Sequence, residues 1–372
     1  MLTHFAHHLM TALPVLLLPF IRGSFALDYT QAGIVTSAFR LSSGISQLPC
    51  GWLADRIGAR ILVTVGIAGV GVAALLVGLS QTYVMLIVFL VLMGLLSGGY
   101  HPASPPLIAA SVEAEKRGRA LGIHMIGGSG SLFLAPLVAA AIAANWGWRS
   151  SFIALSIPTI IFGIMFYVLM GRIRPTKKAE RKVTSSAIEI PSQGRWRRLI
   201  ILIILSTLSI ATVHSLVPFI PLFLVDHFGI SKGTAAASIA LIFSGGFWVA
   251  PLSGYLSDRW GRLPLLVAAC FFSGPVIYLF TLAPYGLGIG AVLVAVGIIL
   301  YVIAPVSQAY IVDEAPENRR SLIMGIYFFG AAESSGILAP VLGYLIDHVG
   351  FHSTFTITSI ALVVVTLLCS MW

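Results

Sequence analysis

Two ionisable side chains, Arg40 and Glu333, stand deep inside apolar stretches of this sequence. Six histidines share such surroundings: His4, His7, His8, His101, His124 and His214. A charge held away from water is costly, so it is retained where it pairs, binds a charged solute or moves a proton. Arg40 and Glu333 can attract one another, and protonating Glu333 would cancel that attraction, making its carboxyl a candidate proton carrier. Each also has a plainer reading. Glu333 can be a fixed polar contact between helices, and the Arg40 guanidinium suits a carboxylate or phosphate on a solute. Imidazole titrates near neutral pH and can relay protons. His4 and His8 lie one helical turn apart, which is also a metal-ligand spacing. No carboxylate or cysteine lies near them in the sequence, and no metal site is expected. His101 precedes Pro102, so it can bond backbone freed at a kink as readily as meet a solute. His124 reads as structural.

The elements that carry these groups are hydrophobic helices. Of 372 residues, 58% are hydrophobic and only 9% charged, with a mean hydropathy of +0.98. A soluble domain carries about 25% charged residues, so an ordinary soluble enzyme and a disordered chain are both excluded. Continuous apolar blocks such as 61–79 have the length a helix needs to cross hydrocarbon. They lack the alternation of an outer-membrane barrel. The chain reads as an integral membrane protein. Its net charge of +9 follows the topology described below and does not mark a nucleic-acid partner. Cys50, Cys270 and Cys369 show neither paired spacing nor a metal pattern. No cleavable signal peptide is expected at the start, and no cofactor is implied.

Breaks at Gly, Pro and charge divide the chain into twelve predicted helices, near 3–22, 31–53, 61–79, 83–109, 119–143, 149–171, 198–225, 232–256, 263–283, 287–311, 321–346 and 351–370. With both termini cytoplasmic, 18 of the 22 Lys and Arg residues fall on the inside, as the positive-inside rule requires. The polar stretch 172–197 is then a cytoplasmic linker, able to touch anionic lipid, between a six-helix half at 1–171 and another at 198–372. Arg40 lies roughly 14 Å in from the outer end of its helix and Glu333 roughly 18 Å in from the cytoplasmic end of its own, by the rise per residue.

The halves repeat. GWLADRIGAR at 51–60 returns as GYLSDRWGRL at 254–263, and Leu134-Ala135-Pro136 returns as Leu338-Ala339-Pro340. A parallel six-helix repeat places a pseudo-twofold axis along the membrane normal and a cavity at the repeat interface. The run Gly127-Gly128-Ser129-Gly130 is expected to pack helices closely at the interface between the halves. Eleven prolines, among them Pro14, Pro102, Pro136, Pro218, Pro251, Pro305 and Pro340, are expected to interrupt helices.

The loop G-x-L-a-D-R-x-G-x-R after the second helix, with a degenerate copy after the eighth, resembles the signature of the major facilitator superfamily. Within it, His4, Leu13-Pro14, Tyr100-His101-Pro102 and the Gly127–Gly130 run are similar to the fosmidomycin-resistance group of exporters. The resemblance spans the whole chain. It implies an all-α fold of twelve transmembrane helices in two pseudo-symmetric halves, and secondary transport by alternating access.

Gly51 and Gly58 allow tight helix ends and close approach in this loop, and the resemblance further implies that Asp55, Arg56 and Arg60 latch the outward-open state, with Asp258, Arg259 and Arg262 as a weaker second latch. A topology anchor without a gating role is the competing reading for both loops. The cavity-lining helices implied by the resemblance make His8, His101, His214, Trp248, Tyr301 and Gln308 candidates to meet the solute. The antiporter motif of the fifth helix is partial, Ala135-Pro136 standing where Gly-Pro is expected, and Leu90 stands near the buried Arg of many drug exporters. Three functions remain: proton-coupled export of a small polar or amphiphilic compound, uptake of a small organic anion, and a non-transporting sensor or scaffold. No nucleotide loop, zinc motif or catalytic triad points to an enzyme. A monomer in a bacterial inner membrane is the expected setting.

Overall fold

A computed structural model of the chain describes residues 1–113, 117–172, 193–316 and 320–371. Every regular element among the described residues is a helix: α1 (Leu2–Leu16), α2 (Leu18–Phe25), α3 (Tyr29–Ile57), α4 (Ala59–Thr64), α5 (Val70–Leu79), α6 (Tyr83–Ser97), α7 (Tyr100–Ala110), α8 (Arg117–Trp146) and α9 (Trp148–Arg172), then α10 (Gln193–Leu216), α11 (Phe219–Phe228), α12 (Lys232–Trp260), α13 (Arg262–Tyr278), α14 (Leu287–Glu314) and α15 (Arg320–Ser370). A π turn, Val65–Gly69, joins α4 to α5. Nine helices among the described residues are long and apolar enough to cross a membrane, or ten if the pair α1 and α2, bent by 45°, is one span. The 29-residue α3 falls outside that count; it carries Arg40, Asp55 and Arg56. The 51-residue α15 is two helices run together across Gly350, whose φ of 77° no helix accommodates.

Local chemistry explains several of these boundaries. Asp28 opens α3 with a capping box, its carboxylate accepting from the Gln31 amide at 2.6 Å while the Gln31 side chain accepts from the Asp28 amide at 3.1 Å. Thr82 caps α6 in the same sense. Gly58 and Gly261 end α3 and α12 at φ 95° and 93°, a region open to glycine at little steric cost. The prolines depart from expectation. Helices break near Pro14 and Pro218, yet Pro136, Pro251, Pro305 and Pro340 sit inside continuous helices. A proline deletes one backbone hydrogen bond, and in apolar surroundings the rest of the ladder has no water to exchange with, so the helix persists.

The chain forms two compact units. One comprises Met1–Lys182 with Ile220–Ala240, the other Val183–Phe219 with Leu241–Trp372. In the first, α3 meets α6 at glycines. A methyl on Gly94 would strike the Ser42 hydroxyl and the Phe39 carbonyl, and one on Gly98 would strike the Ser46 hydroxyl and sit 2.7 Å from the Ser43 carbonyl. Small residues on both helices let the backbones touch, which is how helices gain dispersion energy where lipid competes for every apolar contact.

The second unit repeats this geometry. A methyl on Gly297 would strike the Ile242 carbonyl as one on Gly94 strikes that of Phe39, and a methyl on Gly274 would stand 2.6 Å from the Ser359 carbonyl as one on Gly71 would stand 3.4 Å from that of Ser156. All four residues are displaced by 203, the offset between Gly58 and Gly261. The repeat read from the motif thus extends to backbone contacts.

Gly127 and Gly128 behave otherwise than expected. They face α1 in their own unit, against the Met1 carbonyl and the His4 ring, while a methyl on Gly130 would meet nothing within 4 Å. Their smallness admits an imidazole.

Candidate functional site

Five histidines converge in the first unit. His4, His7 and His8 come from the first two turns of α1, His101 from the start of α7 just after the Gly98-Gly99 break, and His124 from α8. The His4 ring lies 4.7 Å from His8, 5.8 Å from His101 and 4.2 Å from His124 between centroids, the last pair nearly parallel at 3°. His8 and His101 are 5.3 Å apart. His7 stacks on Tyr100 at 4.2 Å and 11°. His4, His7 and His124 are buried, His8 is half-buried and His101 is exposed, so the cluster has a dry side and a wet side.

Hydrogen bonds orient two of the rings. His4 Nδ1 lies 3.0 Å from the His124 carbonyl and His7 Nδ1 lies 2.7 Å from the Gly66 carbonyl. A carbonyl only accepts, so each Nδ1 carries the proton and each Nε2 is left with a free lone pair. Gly66 belongs to the π turn, a helical irregularity that is frequent at functional sites.

The loop after α3 is held by aromatic contacts. The Arg60 guanidinium lies 3.8 Å over the Tyr167 ring and Arg56 lies 4.0 Å over Trp52, geometries in which a ring face attracts a cation. The Asp55 side chain lies outside the described residues. In the second unit, Arg262 donates from Nε to Asp313 at 2.6 Å and lies 3.7 Å from Asp258. The weaker copy of the loop is therefore tied by ions, and its partner Asp313 on α14 could not be read from the motif alone. Gly51 lies inside α3 and Arg259 in the last turn of α12.

Another ion pair escaped sequence reasoning. Arg22 on α2 donates to Asp226 on α11 at 2.8 Å, Tyr29 donates to the same carboxylate oxygen at 2.5 Å, and Arg22 lies 4.1 Å over the Tyr29 ring. Both residues belong to the first unit although the sequence repeat separates them. Arg22 and Asp226 are 204 positions apart, close to the repeat offset. Opposite charges at repeat-equivalent positions are a signal that could have revealed the pair, since a twofold brings such positions together near its axis. Side chains of 26% and 33% exposure limit the pair to about 1 kcal/mol. Arg22→Ala and Asp226→Asn should each lower the melting temperature of the purified protein by no more than a few degrees, with no further loss in the double variant. Full additivity of the two losses would mean that the residues are not coupled.

The remaining candidates lie on other helices. Arg40 is half-buried on α3, and the Glu333 side chain lies outside the described residues. His214, half-buried on α10, Trp248 on α12, and Tyr301 and Gln308 on α14 all belong to the second unit. The Tyr301 ring packs against Gly245, 2.9 Å from where a Cβ would stand, which gives it a packing role. Trp248 is exposed.

The sequence model of the Major Facilitator Superfamily matches residues 1–247 and 199–372. The chain belongs to the major facilitator superfamily. It is 27% identical over 354 residues to "Multidrug resistance protein MdtG" of Escherichia coli, including that of strain K12 / DH10B, covering 91% of this chain and 83% of the relative. Among solved structures, a bacterial homologue of the human lysosomal transporter Spinster, inward-facing and occupied, aligns with a TM-score of 0.82 at 17% identity, covering all of this chain and 93% of that one. A POT family transporter in complex with 5-aminolevulinic acid aligns at 0.80 and 15% identity, covering 100% and 94%. This major facilitator chain is an integral membrane secondary transporter for a small molecule, with the all-helical fold read from its sequence.

Proposed function

We propose that this transporter exports a small polar or amphiphilic compound by alternating access, with inward proton flow as the driving force. The observation that carries the direction is the likeness to a multidrug resistance protein across 91% of the chain. The reading places twelve spans in a bacterial inner membrane with both termini cytoplasmic, as a monomer bordered by lipid, divided as 1–171, 172–197 and 198–372. Several features support it: the repeat offset of 203, the break at Gly350 and the excess of Lys and Arg in one set of loops. Of the linker 172–197, residues 173–192 lie outside the described ones.

On this reading the Asp55–Arg60 loop and its Asp258–Arg262 copy stand at the cytoplasmic end, and the Arg22–Asp226 pair stands at the outer end, where it opposes outward opening. Arg40 and Glu333 form the pair that breaks between states, and Glu333 carries the coupling proton. His8, His101, His214, Trp248 and Gln308 remain the solute contacts, while Tyr301 contributes through packing.

Arg40 favours a second reading, uptake of a small organic anion, because a half-buried guanidinium is a ready counter-charge. Survival of efflux-deficient bacteria across a panel of toxic compounds distinguishes the two. Protection relative to empty vector supports export, and heightened sensitivity to an anionic compound supports uptake. No change across a broad panel at verified membrane expression contradicts export of such toxic compounds.

A further inference from the structure

We propose that His4, His8 and His101 form a binding site for one borderline divalent transition-metal ion of the zinc class. One ligand nitrogen from each of the three histidines falls within 4.8 Å of the others. Nitrogens bound to one zinc at about 2 Å lie no more than about 4 Å apart. Closure thus requires a small ring adjustment, and the half-buried His8 and exposed His101 have room to make it.

The surroundings match what such a site needs. His4 Nδ1 donates to the His124 carbonyl, which leaves Nε2 as the unprotonated nitrogen able to bind a metal, the outer-shell bond that metal-bound imidazoles usually make. His124 stacks flat on His4, fixing its plane, and its own Nδ1 is buried with no hydrogen-bond partner. Gly128 clears the space that the His4 ring occupies. His7, bonded to the Gly66 carbonyl and stacked on Tyr100, walls the far side.

Three neutral imidazoles select zinc, cobalt, nickel or copper over magnesium and calcium, which demand oxygen ligands. A three-histidine set leaves a fourth position open, here toward the wet side at His101, for water or a donor atom of a carried compound. Sequence spacing offered only His4 and His8. The third ligand arrives through the packing of α7 on α1.

Binding is tested on the full chain, purified in detergent through a tag free of histidine. Zinc retained after dialysis is measured by elemental analysis, and cobalt by its visible ligand-field absorption. The wild type should hold one equivalent of either ion, undisturbed by excess magnesium. His8→Asn and His101→Gln should each weaken binding at least about tenfold, while His348→Asn, at an exposed histidine of α15, should bind as the wild type does. A wild type that retains no stoichiometric zinc or cobalt overturns the proposal whether or not the variants fold. Unchanged binding in both His8→Asn and His101→Gln overturns it as well. Neither readout uses transport, so its failure is separate from a failure of the export reading.

Discussion

Glu333→Gln should reduce the resistance conferred by the transporter to that of cells carrying empty vector, at unchanged membrane expression. Glutamine keeps the size and hydrogen-bonding capacity of the side chain and removes its titration, so it separates a proton carrier from a polar spacer. The expectation rests on rarity. Of 13 acidic residues, Glu333 alone falls in the middle of an apolar predicted helix, where an ionisable group persists for a reason. Arg40→Gln should be comparably impaired if Arg40 is the partner. The charge-swapped chain, Arg40→Glu with Glu333→Arg, should then recover more activity than either single reversal, since a double-mutant cycle isolates coupling from two unrelated losses. Equal failure of all three reversal variants would remove the pairing. Full activity of Glu333→Gln would remove the proton role and leave Glu333 a structural contact.

The second large effect is on folding. Gly94→Val and Gly98→Val should each cost about 3 kcal/mol or more, because the obstruction is backbone as well as side chain: the Phe39 carbonyl for one, the Ser43 carbonyl for the other. Serine hydroxyls can rotate away, but a carbonyl inside a helix cannot without breaking its ladder. A cost of that size is a large part of the net stability of a protein, about 5–15 kcal/mol. The variants should therefore show a steep loss of folded protein after detergent extraction, read by size-exclusion chromatography and thermal melting. Gly130→Ala is the control, since its added methyl meets nothing within 4 Å and should leave both readouts unchanged. Wild-type melting of Gly94→Val would mean that α3 and α6 do not approach as closely as described.

Much of this architecture was legible because membrane helices announce themselves by length and apolarity, and because a duplicated chain checks itself. The motif at 51–60 and its copy at 254–263 predicted equivalent turns, and Gly58 and Gly261 adopt nearly the same φ. What was not legible depends on lateral packing. One-turn spacing put His4 and His8 on one face, yet nothing in the sequence brings His101 and His124 beside them. That follows from Gly128 admitting the His4 ring and from the break at Gly98-Gly99. The Arg22–Asp226 pair leaves only the faint trace of opposite charges 204 positions apart, near the repeat offset, which names its partners but not their contact. The prolines misled for the opposite reason: their local rule is strong, but a helix in apolar surroundings has nothing better to become.

Accumulation of a radiolabelled compound identified by the survival panel, measured in inverted membrane vesicles under an imposed pH gradient, tests the central claim most directly. In such vesicles the cytoplasmic face points outward, so an exporter loads the lumen when the lumen is acidic. The account predicts accumulation above that of vesicles lacking the transporter, collapse on dissipating the gradient, and none with Glu333→Gln. Accumulation in right-side-out vesicles and none in inverted ones would contradict export and turn the account toward uptake.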